Sequence, residues 1–293
     1  MGSSKTILLL AVFFSLCLAT PSFAANRENS AQTKFRWQDL LPRSLQANPR
    51  INVNIVTEMT DEGKKLPVVS VDHPVYYIGH DGGYLEEGDI VAGERPPNAK
   101  MLSKTLQNAL IQAGYRGADR EHPPTIFILY RWGSFNAYHD SLNPNETIDD
   151  FQWKNLLARV ALVGGIKFAV DFAQAMKMGR LESFRMRDEV SGSLLDESFG
   201  DLYFLIAAAY DIEAMKKRER KLLWKTKIST GSQGLAMDET LPLLVSRSAQ
   251  YFGREMTGPV QLFTRLHKDK VEIGTATVQG YIDPSEPKSY PKR

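Results

Sequence analysis

The chain is poor in the residues that most often specify chemistry. Cysteine occurs once in 293 residues, as Cys17, inside an apolar run near the start. No cysteine pair exists to cross-link an extracellular fold or to hold a tetrahedral metal. Five histidines (His73, His80, His122, His139, His267) stand singly, and no two share the i, i+4 spacing of a metal-binding helix face. A glycine-rich phosphate loop with its lysine, His-Glu-x-x-His, Cys-x-x-Cys and the Gly-x-Ser-x-Gly elbow are all missing. These absences leave no catalytic or cofactor-binding residue to assign. Charge of one sign is lacking too. Lys and Arg total 36 against 34 Asp and Glu, a formal net of +2, which gives no long-range field to steer nucleic acid.

What is present begins with an export signal. Lys5 supplies a positive start, and Ile7 to Leu18 form an apolar core too short to span a bilayer. Thr20-Pro21-Ser22-Phe23-Ala24 then places small residues three and one before a cleavage point. Residues 1–24 therefore read as a signal peptide cut after Ala24, and the protein as exported to a bacterial periplasm or the extracellular space. Cleavage would leave a cysteine-free chain stabilised by packing alone. Leu16 precedes Cys17 where a lipid-anchoring signal requires a small residue, which argues against acylation.

Periodicity predicts an α+β fold, a mixed and mostly antiparallel sheet with packed helices and a helical insertion at about 151–190. Residues 25–50 form a polar lead. A single domain is expected over 51–282, with a solvated tail over 283–293. Strands are expected at Ile51–Thr57, Thr125–Tyr130, Leu202–Ile212, Leu222–Ser229 and Val271–Ile282, from β-branched alternation or short apolar runs. Pro67–Ile78 reads as extended and runs into a turn at Gly79-His80-Asp81-Gly82-Gly83. Helices are expected where Met101, Leu102, Leu106, Ala109, Leu110 and Ala113 share a face before Gly114, and over Phe151–Met178, Leu181–Val190 and Glu239–Tyr251. Gly164-Gly165 predicts a break in the longest of these. Trp224, Thr226 and Ile228 should face one way and Lys225 and Lys227 the other. Lys216 to Lys221 reads as a charged hairpin tip.

Three segments are candidate sites. His80 to Glu94 packs five carboxylates and four glycines into fifteen residues. Asp81, Glu86, Glu87, Asp89 and Glu94 are thus candidate ligands for a hard cation such as calcium, although the spacing is not that of an EF-hand. Tyr130 to Asn136 places aromatic and polar groups at a strand end, making Arg131, Trp132, Asn136 and, farther on, His139 candidate ligand residues. Leu156–Met178 carries an apolar arc wider than one contact needs, with Lys167, Asp171 and Gln174 as a narrow polar stripe. The charges argue against a spanning helix, since each would cost about 2.5–3.5 kcal/mol at mid-bilayer. The arc suits an envelope protein partner, self-association or a membrane surface.

Two blocks carry a resemblance. Met101-Leu102 to Tyr115 is followed by Pro123-Pro124 and Ile126-Phe127-Ile128-Leu129-Tyr130. Leu202 to Asp211 is followed by Leu222-Leu223-Trp224-Lys225-Thr226 and a helix closing at Tyr251-Phe252-Gly253. Their order resembles uncharacterised exported bacterial envelope domains, some lipoprotein-associated, built as a small α+β sandwich. The resemblance implies no catalytic residues. Together these features suggest a non-catalytic exported envelope protein that binds a partner through the sheet edge or the 151–178 helices. The rival reading is an exported metal- or ligand-binding protein or hydrolase using the 80–94 loop with Arg131 or His139. Mass spectrometry of the exported protein is expected to find Ala25 at an unmodified N-terminus; an acylated Cys17 in that place would overturn the cleavage assignment.

Overall fold

The alternation in Ile51-Asn52-Val53-Asn54-Ile55 becomes β1 (Arg50–Met59) in the computed structural model, which describes residues 40–138 and 150–266. The signal peptide, His139, the expected strand at Val271–Ile282 and the tail lie outside the described residues. The chain continues through α1 (Asp61–Lys64), β2 (Val75–Glu87), α2 (Ala99–Ala113), β3 (Tyr115–Gly117), β4 (Ile126–Phe135), α3 (Asp150–Lys177), α4 (Leu181–Arg185) and α5 (Glu189–Phe199). It closes with β5 (Leu202–Asp211), α6 (Ile212–Lys216), β6 (Leu222–Gly231), α7 (Met237–Arg247) and β7 (Val260–Arg265). The seven strands form one sheet in the order β3-β2-β4-β5-β6-β1-β7. β2 runs parallel to β3 and β4, and every other neighbouring pair is antiparallel. The fold is α+β with a mixed, mostly antiparallel sheet.

β5 shows how the layers arise. Tyr203, Leu205, Ala207 and Ala209 enter one core, while Leu202, Phe204 and Ile206 enter another. Both faces of a central strand are dry, so the strand reads as continuously apolar. α2 and α7 cover the first face. On α7, Leu241, Leu244 and Val245 are fully buried, as their three- and four-residue spacing predicts. On α2, Leu102, Leu106, Ala109, Leu110 and Ala113 are buried, but Met101 is exposed, in the first turn after Asn98 caps Lys100 and Met101. Gly114 ends α2 at φ 100°, in the left-handed conformation that favours glycine. α3, α4 and α5 cover the second face through Leu156, Val160, Val163, Phe168, Phe172, Phe184 and Leu194. The helical segment expected at about 151–190 forms one layer of the sandwich, and its helices run on to Phe199.

Three expectations need correction. Gly79 to Gly83 is not a turn. The segment lies within β2, whose register against β4 shifts between Asp81 and Tyr84. Asp81 Oδ1 accepts from Gly83 N at 2.8 Å, and Gly83 takes φ 85°, so the glycines make a bulge without reversing the chain. Only Val75–Ile78 of the stretch starting at Pro67 is strand, because Pro74 has no N–H to give a ladder. β4 runs on through Gly133 to Phe135, since a side chain at Gly133 would collide with the Leu85 carbonyl of the adjoining strand. β7 was not foreseen; its alternation is weak, and Phe263 is 65% exposed.

α3 breaks where Gly164-Gly165 predicts. Gly165 takes φ 88° and ψ 171°, a region open essentially to glycine alone. Ile166 N, at the start of the second half, donates to Glu58 Oε1 at 2.5 Å. Lys227 Nζ lies 2.9 Å from Glu58 Oε2 and donates to Ala161 O, near the end of the first half, at 2.9 Å. Each charge thus meets the helix end whose dipole it complements. Lys227 does face away from Trp224 and Ile228, as expected, but beneath α3 rather than in solvent, and its side chain is only 8% exposed. Burial lowers its pKa, and the Glu58 carboxylate opposes that shift.

Glu58→Ala would strand the buried ammonium and is expected to cost about 3–5 kcal/mol in urea unfolding. Glu58→Leu with Lys227→Met should lose less than the two single losses added. Gly165→Ala should cost about 1–3 kcal/mol. A Glu58→Ala loss below about 0.5 kcal/mol, the range of ordinary surface substitutions, would contradict this reading.

Candidate functional site: an apolar cleft at one end of the sheet

The residues flagged in the acidic loop do not converge. Asp81 is occupied by Gly83 N and by Trp132 Nε1 at 3.3 Å. Glu86 and Glu87 are consecutive on β2 and exposed, so they point to opposite faces. At Asp89 it is the backbone carbonyl that meets Asn136, whose Nδ2 donates at 2.8 Å. Among the described residues no group of three or more His, Cys, Asp or Glu is placed to hold a metal ion. Trp132 and Asn136 are buried in packing roles, and Arg131 is exposed on the face opposite Trp132. The Arg131 side chain lies over Gly82, where an added Cβ would fall 2.8 Å from its Cγ.

Glu94 is the exception, because it folds back onto the sheet. It approaches Ser134, which is fully buried, together with Tyr84 and Tyr203; Tyr84 Oη lies 3.4 Å from Ser134 Oγ. Glu94 Oε2 is buried without a hydrogen-bond partner. Burial pushes the Glu94 carboxyl above its ordinary pKa, and the Ser134 hydroxyl opposes this while the Glu86 charge adds to it. The cluster pins residues 88–98 over the end of β4.

Near that same end of the sheet lies a polar cavity of about 1430 Å³. Its floor is Glu197, which accepts from Asn52 Nδ2 at 2.5 Å and Asn54 Nδ2 at 2.6 Å; Gln261 Nε2 donates to Asn54 Oδ1 at 2.9 Å. Burial raises the Glu197 pKa, and the two asparagine amides oppose the rise. These amides explain the polar half of β1: Asn52 and Asn54 both donate to the half-buried Glu197 carboxylate. Arg185 and Asp196 at the wall pair with each other at 2.7 Å.

The opposite end of the sheet, where β2, β4 and β6 begin, is apolar. A cleft of about 1420 Å³ runs between residues 63–78, Pro123–Ile126, Ile212, Leu223-Trp224 and Gly253–Glu255. Leu66, Val68 and Ile78 on its walls are 46%, 80% and 47% exposed. Together they give the cleft an exposed aliphatic wall. Tyr115 lines the cleft while only 1% exposed, and its hydroxyl finds no acceptor for its proton, the neighbouring Trp224 Nε1–H being a donor only. Burial pushes the phenol pKa strongly up, against the opposing effect of the Trp224 indole N–H and the Arg254 guanidinium. The rim cations Lys64 and Lys216 are paired, with Glu255 and Glu213, each at 2.6 Å. Arg254 is exposed and forms no ion pair among the described residues.

No protein-family description matches the chain, and no curated protein sequence does. A solved PDZ domain protein from Parabacteroides distasonis aligns with a TM-score of 0.35 and 13% identity, over 75% of this chain and 40% of that one. The chain thus spans less than half of that protein, and so loose a likeness carries no functional argument.

Sequence reasoning passed over Tyr115 and Arg254, each adjacent to a glycine that reads as a helix stop. The signal that was available is Val68, Val69 and Val71 between Pro67 and Pro74, aliphatic residues without strand or helix pairing. For Glu94, a raised folded pKa means stability that is present below the ordinary carboxylate range and lost as pH rises through the folded value. Glu94→Gln, locked in the neutral form, is therefore expected to gain melting temperature relative to wild type between pH 4 and pH 7. An unchanging difference across that range would show that the carboxyl is not held above its usual pKa.

Proposed function

We propose that this chain is a non-catalytic, exported envelope protein that binds an apolar ligand in the cleft at the β2–β4–β6 end of the sheet. The observation that carries the reading is the exposure of Leu66, Val68 and Ile78 on the walls of a cleft of about 1420 Å³. Binding sites are concave and mostly apolar with a few placed polar groups, and small-molecule sites usually enclose about 300–1,000 Å³. The leader pattern ending at Ala24 supports placement outside the cytoplasm. The helical face first considered for docking is largely used up: Leu156, Val160, Val163, Phe168 and Phe172 pack in the second core, leaving Phe151, Ile166, Val170 and Met178 exposed. No described helix is long and apolar enough to cross a membrane.

Titration with the neutral apolar dye Nile red tests the reading. The protein should take it up saturably with a blue-shifted emission. Val68→Asp, at a site 80% exposed and so harmless to folding, should weaken uptake about tenfold or more. Uptake that never saturates, or that Val68→Asp leaves unchanged in a folded protein, would refute it.

A further inference from the structure

The cleft is not uniformly apolar, and its two unmatched polar groups lie close together. The Tyr115 hydroxyl is buried with no acceptor for its proton. The neighbouring Trp224 indole N–H can only donate, so it leaves that need unmet. A buried donor without a partner is unfavourable by about 1–3 kcal/mol, which makes such a group uncommon unless something else completes it. Arg254 is near enough to act electrostatically on the same hydroxyl, and alone among the rim cations Lys64, Lys216 and Arg254 it has no described ion-pair partner. The nearby carboxylates are committed or solvated. Glu255 and Glu213 hold the two lysines, Asp211 accepts from Ala214 N at 2.8 Å, and Asp72 is exposed. A phenol donor and a free guanidinium, set beside walls of Val75, Ile126, Leu223 and Trp224, match an anion joined to an aliphatic chain.

The geometry points to a long-chain aliphatic carboxylate as the ligand of this cleft, its chain along the Leu66–Ile78 wall and its head group held by Tyr115 and Arg254. The inference rests on the reading of the cleft as a binding site and names the chemistry of what enters it. Gly253 covers the hydroxyl in this structure; a Cβ there would collide with Tyr115 Oη, so the absence of a side chain is what lets the backbone sit so close. The Gly253–Glu255 turn has to lift for the head group to reach the phenol, and Arg254 rides on that turn.

Calorimetric titration of the full chain with dodecanoate and with 1-dodecanol, both below their aggregation limits, tests this. Dodecanoate should bind about tenfold or more tightly than the alcohol. Tyr115→Phe and Arg254→Gln should each remove most of that preference, weakening dodecanoate much more than the alcohol. Tyr115→Phe removes a hydroxyl whose proton has no acceptor, so the unliganded protein should keep its melting temperature. Equal binding of acid and alcohol, untouched by either variant, would overturn the carboxylate inference and leave the apolar cleft standing. Failure of both molecules to bind, with Nile red also excluded, would remove the cleft reading itself. A fall in melting temperature in Tyr115→Phe would show that the hydroxyl has a structural partner and overturn the inference. Preference for an apolar pentapeptide with a free C-terminus over dodecanoate would overturn it too, by making the occupant a protein end.

Discussion

A half-buried carboxylate and a buried ammonium, side by side, tie the second helical layer to the sheet. Glu58 projects from β1 and Lys227 from β6, adjacent strands whose register sets Glu58 opposite Lys225 and Val56 opposite Lys227. The pair reaches into the gap that Gly165 opens in α3 and satisfies a peptide group on each side of it, Ile166 N and Ala161 O. An unbroken helix would offer neither group, since both would be spent within the helix. An unpaired charge there would face the desolvation penalty alone. Break and ion pair are therefore one device, and each makes the other tolerable. Because α4 and α5 pack against α3, the position of the whole layer follows from it.

That dependence separates what the sequence makes legible from what it does not. Local patterning located β1, β6, α2 and α7 closely, because each carries a periodicity of two or of 3.6, and β5 as an unbroken apolar run between two cores. The break in α3 was legible as well, since paired glycines inside an apolar helix have few other uses. Long-range partnership was not legible. Lys227 looks like half of a solvated Lys225/Lys227 face, and only the helix lying over it turns an ordinary lysine into a buried one. Asn52 and Asn54 likewise look like the wet side of a half-buried strand, whereas Glu197, 145 and 143 residues away, makes them the donors of a buried network. The acidic loop misled in the opposite sense. Density of carboxylates along the chain suggested convergence, but a strand sends neighbours to opposite faces, and Glu86 and Glu87 lie on one.

The two ends of the sheet differ in kind, and β1 shows why. At its start Asn52 and Asn54 face Glu197 and the polar cavity; at its end Met59 lines the apolar cleft. The helices cover the middle of both faces and leave the ends to loops. At the polar end the half-buried carboxylates Glu94 and Glu197 are surrounded by hydroxyls and amides from the protein itself, with Asn52, Asn54, Gln261, Ser134 and Tyr84 engaged there, although Glu94 Oε2 and Asn136 Oδ1 remain without partners.

At the apolar end the inventory stays open. Covering the strand starts with residues 63–78 brings aliphatic side chains over the sheet, yet Pro67 and Pro74 withhold donors from any regular pairing and keep the segment from closing down as an eighth strand. The result is a concave wall of Leu66, Val68 and Ile78 that its own chain does not cover. A site missing an acceptor for one phenol, an anion for one guanidinium and apolar contact for three aliphatic side chains lacks the parts of one amphiphile, and its aliphatic walls distinguish this cleft from the polar cavity of similar size at the other end.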